Sequence, residues 1–446
     1  MSSEPRKLKV GDVKYLSLEG GGGKGAAYLG ALAAFADLGI LKPIKGSKGP
    51  KDYVIDNNKI KGIAGASAGA ITATLLACGV SLDWLHTFTN NFTVLGNFYD
   101  PPLARKVPQV KKGITDSCKE LPMPNDILKL PGTITLVLLP LLVLPPFIRE
   151  AVSLLLSTEE GRNIILRGIV KILERFTGPL PPAMGKRLKE DPLSYLKNLV
   201  MDYGLFSGCY STNYFANWIG EKSGGAAKQK LSTGGFRSWR TINFEEFFEV
   251  HEIDLVLTGT NIETMRSQYF SRKETPDFKV VDALRISMSF PFAFKPVKIS
   301  KSDYGSEKYV GTWIDGGVLN NNPIHAFDKQ RGVINDGMLG LRLGNDPKPI
   351  INNFSDYLGA LVSTILSTSE RGQMQTLQEE KQTIILPTTG LSTLNFTPKQ
   401  EDLESSMIDS AFAVRSYFGK SGIGKVVDDY LSEDAKKRFR LIRQPG

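Results

Sequence analysis

Ser67 stands in the segment Gly65-Ala66-Ser67-Ala68-Gly69, where every neighbour is Gly or Ala. That is the composition a tight strand-to-helix elbow requires, because it projects the serine oxygen clear of a sheet edge and tolerates only small residues around it. The following helix turns its positive end toward that oxygen and favours negative charge developing there. A chance Gly/Ala-rich helix start is the competing reading of this segment alone. Upstream, Glu19-Gly20-Gly21-Gly22-Gly23-Lys24-Gly25 offers a run of open backbone amides, and it reads in three ways. As a Walker loop it fails, because Gly25 follows Lys24 where Ser or Thr should hold a metal ion. Gly20, Gly22 and Gly25 do fit the G-x-G-x-x-G dinucleotide pattern, but no acidic residue closes a clear second strand at the expected distance. As an oxyanion hole, the amides of Gly21, Gly22 and Gly23 at a helix start face an acyl oxygen. Only this third reading accounts for a nucleophile elbow coming next.

Each segment needs a strand before it and a helix after it. Val13 to Leu18 alternates apolar and polar like a half-buried strand, and Ala26 to Leu38 reads as a helix stopped by Gly39. Ile60 to Ala64 and Ala70 to Ala77 repeat that layout, ending near Gly79. Both turns then lie on one edge of one sheet. Further strands are predicted at Ile253–Leu257, Met338–Leu343 and Thr383–Leu386, and helices at Tyr357–Glu379 and Met407–Phe418. The alternation predicts that residues 330–446 complete the same α/β layer within a single domain spanning 1–446.

Two more blocks carry chemistry: Asp315-Gly316-Gly317-Val318-Leu319-Asn320-Asn321-Asn322-Pro323, and ahead of it Leu284 to Pro291 with Phe294-Lys295-Pro296-Val297. In order and spacing, the four blocks together resemble the patatin-like phospholipase family: its G-G-G-x-[RK]-G motif, its G-x-S-x-G elbow, the segment before its aspartate and its D-G-[GA] turn with N-N-P. The resemblance covers roughly residues 13 to 79 and 250 to 325. It implies an α/β three-layer fold with a mostly parallel central sheet; the stretch at 97–236, which the resemblance does not cover, reads from its own composition as a long, mainly helical insertion serving as a lid or membrane-docking subregion. It also implies a Ser-Asp dyad, carried by Ser67 as nucleophile and Asp315 as base, without histidine; no cofactor is expected. The expected activity is phospholipase A or lysophospholipase chemistry on glycerophospholipids. A nucleotide-binding protein using Gly20–Gly25 and a catalytically silent lipid-binding module are the alternatives.

The chain suits that economy, since it holds only His86, His251 and His325. His325 is the rival base, because Ser67, Asp315 and His325 follow the chain order of a hydrolase triad. It comes only ten residues after Asp315, past an Asn-Asn-Pro turn, which disfavours it. An ordinary Asp, with a pKa of about 3.9, is a poor proton acceptor near neutral pH. More of the rate then falls to the oxyanion donors, each worth about 3 to 4 kcal/mol. Lys24 is read equally as an auxiliary charge and as a solvated lysine, and Glu19 as a strand-end residue.

Of the 446 residues 41% are hydrophobic and 23% charged, as in an ordinary globular protein. Met1 to Gly11 lacks the apolar core of a secretory signal, and three scattered cysteines suggest a reducing compartment with no metal site. The expected location is therefore cytoplasmic with peripheral membrane association. A net charge of +9 favours acidic partners, and no nucleic-acid-binding signature appears, so an anionic lipid surface is the better match. A protein activator is unreadable. The basic run from Lys436 to Arg443 reads equally as membrane-facing or as a solvated helix face. Leu130 to Ile148 is free of charge, but Pro140, Pro145 and Pro146 argue against a membrane span and for a lid, a docking segment or a buried core connection.

Overall fold

The computed structural model describes residues 6–44, 52–90, 242–344, 376–391 and 398–442, together with 158, 160, 161, 204–208, 211, 212, 214, 215 and 219. Most of the 97–236 insertion, including Leu130–Ile148 and the helices expected within it, lies outside these residues, as does most of Tyr357–Glu379. No helix among the described residues is long and apolar enough to cross a membrane.

The strands are β1 (Tyr15–Leu18), β2 (Leu41–Pro43), β3 (Tyr53–Ile55), β4 (Gly62–Gly65), β5 (Gly204–Phe206), β6 (Asp254–Asn261), β7 (Arg266–Ser271), β8 (Phe292–Phe294), β9 (Val297–Ile299), β10 (Gly311–Asp315), β11 (Met338–Gly344) and β12 (Thr383–Pro387). Eight of them form one sheet in the order β12-β11-β1-β4-β6-β10-β9, with β7 also on β6. The five from β12 to β6 run parallel, and β7, β9 and β10 add antiparallel pairs. The fold is thus α/β on a mostly parallel sheet. β4 is buried at all four positions, as a central parallel strand must be. Its two glycines leave room for the Phe327 ring at Gly62 and for the backbone of Gly69 at Gly65.

Helices α1 (Tyr28–Asp37), α2 (Ala68–Ala77), α3 (Leu82–Asn90), α4 (Phe244–His251), α5 (Val280–Ser287), α6 (Leu377–Lys381), α7 (Gln400–Tyr417), α8 (Lys425–Tyr430) and α9 (Glu433–Ile442) complete the frame. α1 is apolar all round and buried from Tyr28 to Ala36, and α7 approaches so closely that a side chain at Gly30 would strike the Met407 carbonyl. Gly39 and Gly79, at φ 75° and 73°, follow the ends of α1 and α2 in the left-handed conformation that glycine adopts freely.

Two expectations are corrected. Ala26 and Ala27 belong to a 3-10 turn running from Gly22, so α1 starts later, at Tyr28. The helix expected to reach Glu379 cannot run through Thr376, which is extended (φ −128°) and caps α6 by accepting from the Glu379 amide. The basic residues of α9 are largely committed to acids: Lys436 to Glu433, Lys437 to Asp434, and Arg438 to Glu401 and Glu404. That favours the solvated-face reading of the run.

Candidate active site

Ser67 occupies the junction between β4 and α2 with φ 50° and ψ −122°. For a residue with a Cβ this is strained backbone, the sort that persists only where its surroundings over-determine it. Those surroundings are identifiable. The Ser67 amide donates to Ser287 Oγ at the end of α5 (3.0 Å), and the Ala66 amide donates to the Leu18 carbonyl (3.2 Å). A Cβ at Gly69 would strike that same carbonyl, so the elbow glycines are demanded by close backbone approach. Ser287 was not singled out from the sequence. Its only signal was membership of the Leu284–Pro291 block.

The glycine run follows β1 directly. Gly20 packs on Ser67, since a Cβ there would come 2.9 Å from Ser67 Cβ. Gly21 is extended (φ 178°), Gly22 turns the chain at φ 55°, and the 3-10 turn begins. Outside the turn itself, no acceptor takes the amides of Gly21, Gly22 and Gly23 among the described residues. They stand at the sheet edge next to Ser67. Lys24 is half-buried in the turn, its amide donating to the Gly21 carbonyl (3.1 Å). Glu19 is buried; its carboxylate accepts from the Leu343 amide (2.5 Å) and from Arg342 Nε (3.3 Å), which makes it a strand-end lock between β1 and β11.

Asp315 ends β10, which runs antiparallel to β6 and delivers its carboxylate to the tip of the parallel strands. The residue is 2% exposed. Oδ1 accepts from the Gly317 amide (2.7 Å), whereas Oδ2 has no hydrogen-bond partner of ordinary geometry. Burial pushes the carboxyl up to about 7, against the lowering effects of the Gly317 amide and of the Ser67 hydroxyl. The hydroxyl is therefore near enough to act on the carboxylate although no well-formed hydrogen bond joins them. Such loose contacts are usual before substrate binds. The expectation that Asp315 is a weak base is corrected by this burial, because a pKa near 7 suits proton transfer at neutral pH.

His325 is placed elsewhere. Its Nδ1 meets Asp328 Oδ2 at 2.8 Å and its Nε2 meets Glu379 Oε1 at 3.2 Å, so both ring nitrogens face carboxylates. His86 packs against Tyr430 and His251 against Phe247, each at ring distance. Replacing His325 with alanine is expected to hold kcat on a soluble ester within about threefold while lowering the melting temperature, since two nearly buried carboxylates lose their partner. Steady-state kinetics and a thermal melt check both.

A cavity of about 640 Å³, open to solvent, begins at Gly22, Gly23 and Ala68. Between α1, α2 and α3 its walls are Leu29, Leu32, Ile71, Leu75, Leu85 and Phe88, and Phe215 adds an aromatic wall. The lining suits an aliphatic ligand.

The model of the family described as patatin-like phospholipase matches residues 16–328, which takes in the glycine run, the elbow and Asp315. The chain belongs to the patatin-like phospholipase family. Among relatives of this patatin-like protein, an uncharacterized protein of Acanthamoeba polyphaga mimivirus is 31% identical over 160 residues, 33% of this chain and 49% of that one. A probable lipid hydrolase of Invertebrate iridescent virus 6 is 27% identical over 181 residues, 41% and 50% of the two chains. The chain thus spans about half the length of the curated relatives it matches. The crystal structure of VipD from Legionella pneumophila is similar over 94% of this chain and 67% of that one, at 16% identity and a TM-score of 0.41.

Proposed function

We propose that this patatin-like protein is a lipid acyl hydrolase that cleaves acyl esters of glycerophospholipids through a Ser67–Asp315 dyad and a covalent acyl-enzyme. The observation that carries the reading is the apolar cavity, which begins at Gly22, Gly23 and Ala68, the residue that follows Ser67. An acyl chain seated there would bring its carbonyl to the sheet edge. Ser67 Oγ attacks the carbonyl carbon and its proton passes to the Asp315 carboxylate. The amides of Gly21 to Gly23 and the start of α2 stabilise the oxyanion. When the tetrahedral species collapses, the ester C–O bond breaks and the leaving alkoxide takes the proton from Asp315. Water then attacks the acyl-enzyme with Asp315 again accepting the proton, the fatty acid departs and Ser67 is restored.

The nucleotide alternative is disfavoured by the aliphatic side chains around those glycines. A silent lipid-binding module is separated by a fluorophosphonate probe: it should label wild-type protein at Ser67 and leave Ser67→Ala unlabelled. Absence of labelling in folded wild type would sink the hydrolase reading. Substrate at a membrane surface, with the protein peripheral to it, fits the net charge of +9.

Ile71 lines the cavity from α2 and is half-buried, so a larger ring there enters the groove without replacing core. Ile71→Trp should deny room to about four methylenes, roughly 3 kcal/mol of apolar burial. The expected result is on the order of 10²-fold lower kcat/KM on a long-chain ester, against less than threefold on a butyrate ester. Equal losses on both substrates would remove the cavity from acyl binding.

A further inference from the structure

The three asparagines after the Asp315 turn each reach a different strand or loop. Asn320 lies close enough to the Tyr269 hydroxyl on β7 to act on it, and Asn322 Oδ1 accepts from Ser17 Oγ on β1 (2.8 Å). Asn321, nearly buried, engages the glycine run twice: its Nδ2 donates to the Gly20 carbonyl (3.1 Å), and its own carbonyl accepts from the Gly20 amide (3.0 Å). Its Oδ1 lies against Gly20 on one side and Gly317 on the other. One short segment therefore ties the backbone just before the oxyanion amides to the turn just after the base. Gly20 is also the residue that touches Ser67 Cβ. A displacement there moves the amides of Gly21 to Gly23 relative to the nucleophile, and a misplacement of about 1 Å at such a site costs on the order of 10²-fold.

We infer that Asn321 is a positioning residue for the oxyanion hole, holding the glycine run at fixed spacing from Ser67 and Asp315. This rests on the hydrolase reading above. Asn321 acts through Gly20, which it holds by two hydrogen bonds.

The test uses the full chain, p-nitrophenyl butyrate, and an alkyl trifluoromethyl ketone, which adds to Ser67 and places a negative oxygen where the oxyanion forms. Asn321→Ala is expected to lower kcat by about 10²-fold with KM within threefold, and to weaken the trifluoromethyl ketone by a similar factor. A purely structural role would lower the melting temperature or the active fraction without selectively weakening the ketone. Asn321→Leu supplies a second route, because it keeps the side-chain volume and removes the Nδ2 donation to the Gly20 carbonyl. The same paired loss of kcat and ketone affinity is expected, and this variant decides the matter if Asn321→Ala does not fold. A folded variant with kcat within threefold of wild type, or with reduced kcat and undiminished ketone affinity, overturns the inference. Wild type that neither turns over the ester nor takes a fluorophosphonate sinks the hydrolase reading itself, and this inference with it.

Discussion

Ser67→Ala is expected to abolish ester hydrolysis and fluorophosphonate labelling while leaving the melting temperature nearly unchanged. The hydroxyl is the only atom removed, and the amide bond to Ser287 and the elbow glycines remain. Alanine keeps the Cβ, so it inherits the φ 50° strain. Ser67→Gly is equally inactive but relieves that strain, which typically costs about 1–3 kcal/mol. It should therefore melt higher than Ser67→Ala, less the entropy that glycine adds to the unfolded chain. Turnover of the alanine variant above about one part in a thousand of wild type would exclude Ser67 as the nucleophile. A glycine variant that melts lower than the alanine variant would refute the strain assignment.

Asp315→Asn is expected to lower kcat/KM on a soluble ester by about 10²- to 10⁴-fold, the usual range for loss of a general base. Its pH behaviour is more diagnostic than its size. Wild-type activity should climb with pH and level off above about 7, because only the ionised carboxylate accepts the proton. The residual activity of the asparagine variant should lack that step. Stability runs in the opposite sense. Burial raises the folded pKa to about 7 against roughly 3.9 in the unfolded chain, so between those values the native state binds the extra proton. Wild type therefore loses stability as pH rises from about 4 to about 7, by at most roughly 4 kcal/mol. Asparagine carries no such charge. The variant should melt higher than wild type at pH 8, and the gap should close near pH 4. A gap that widens toward acid, measured by calorimetry across pH, would contradict the burial of an ionisable carboxylate at this position.

The parts legible in the sequence are those governed by local chain chemistry. Strands at 253–257, 338–343 and 383–386, and the helix after Ser67, follow from apolar periodicity and glycine stops, and each appears within a few residues of the expected bounds. Gly65 and Gly69 betray themselves because close backbone approach leaves no room for a side chain, and Gly20 and Gly21 because the Asn321 and Leu343 side chains fill that room. Asp315 was readable from its own turn and from the family resemblance. The antiparallel extension made by β7, β9 and β10 was not, because its short strands lack a period long enough to recognise.

What the sequence left undetermined depends on partners far away in the chain. Ser287 lies 220 residues from Ser67 and Asn321 lies 301 from Gly20, separations at which no periodicity or turn preference carries information. The helix expected to run to Glu379 is interrupted because the Thr376 side chain satisfies a helix-start amide, a preference that competed with apolar spacing. His325 looked eligible as a base by chain order and is withdrawn by Asp328 and Glu379, the latter from a separate helix. Residue types and local spacing were enough to name a nucleophile, an acid and a run of amides. The protonation of Asp315, the apolar cavity beside Ser67 and the hold of Asn321 on Gly20 were decided only by tertiary packing, because burial and long-range hydrogen bonds belong to the folded chain and not to any segment of it.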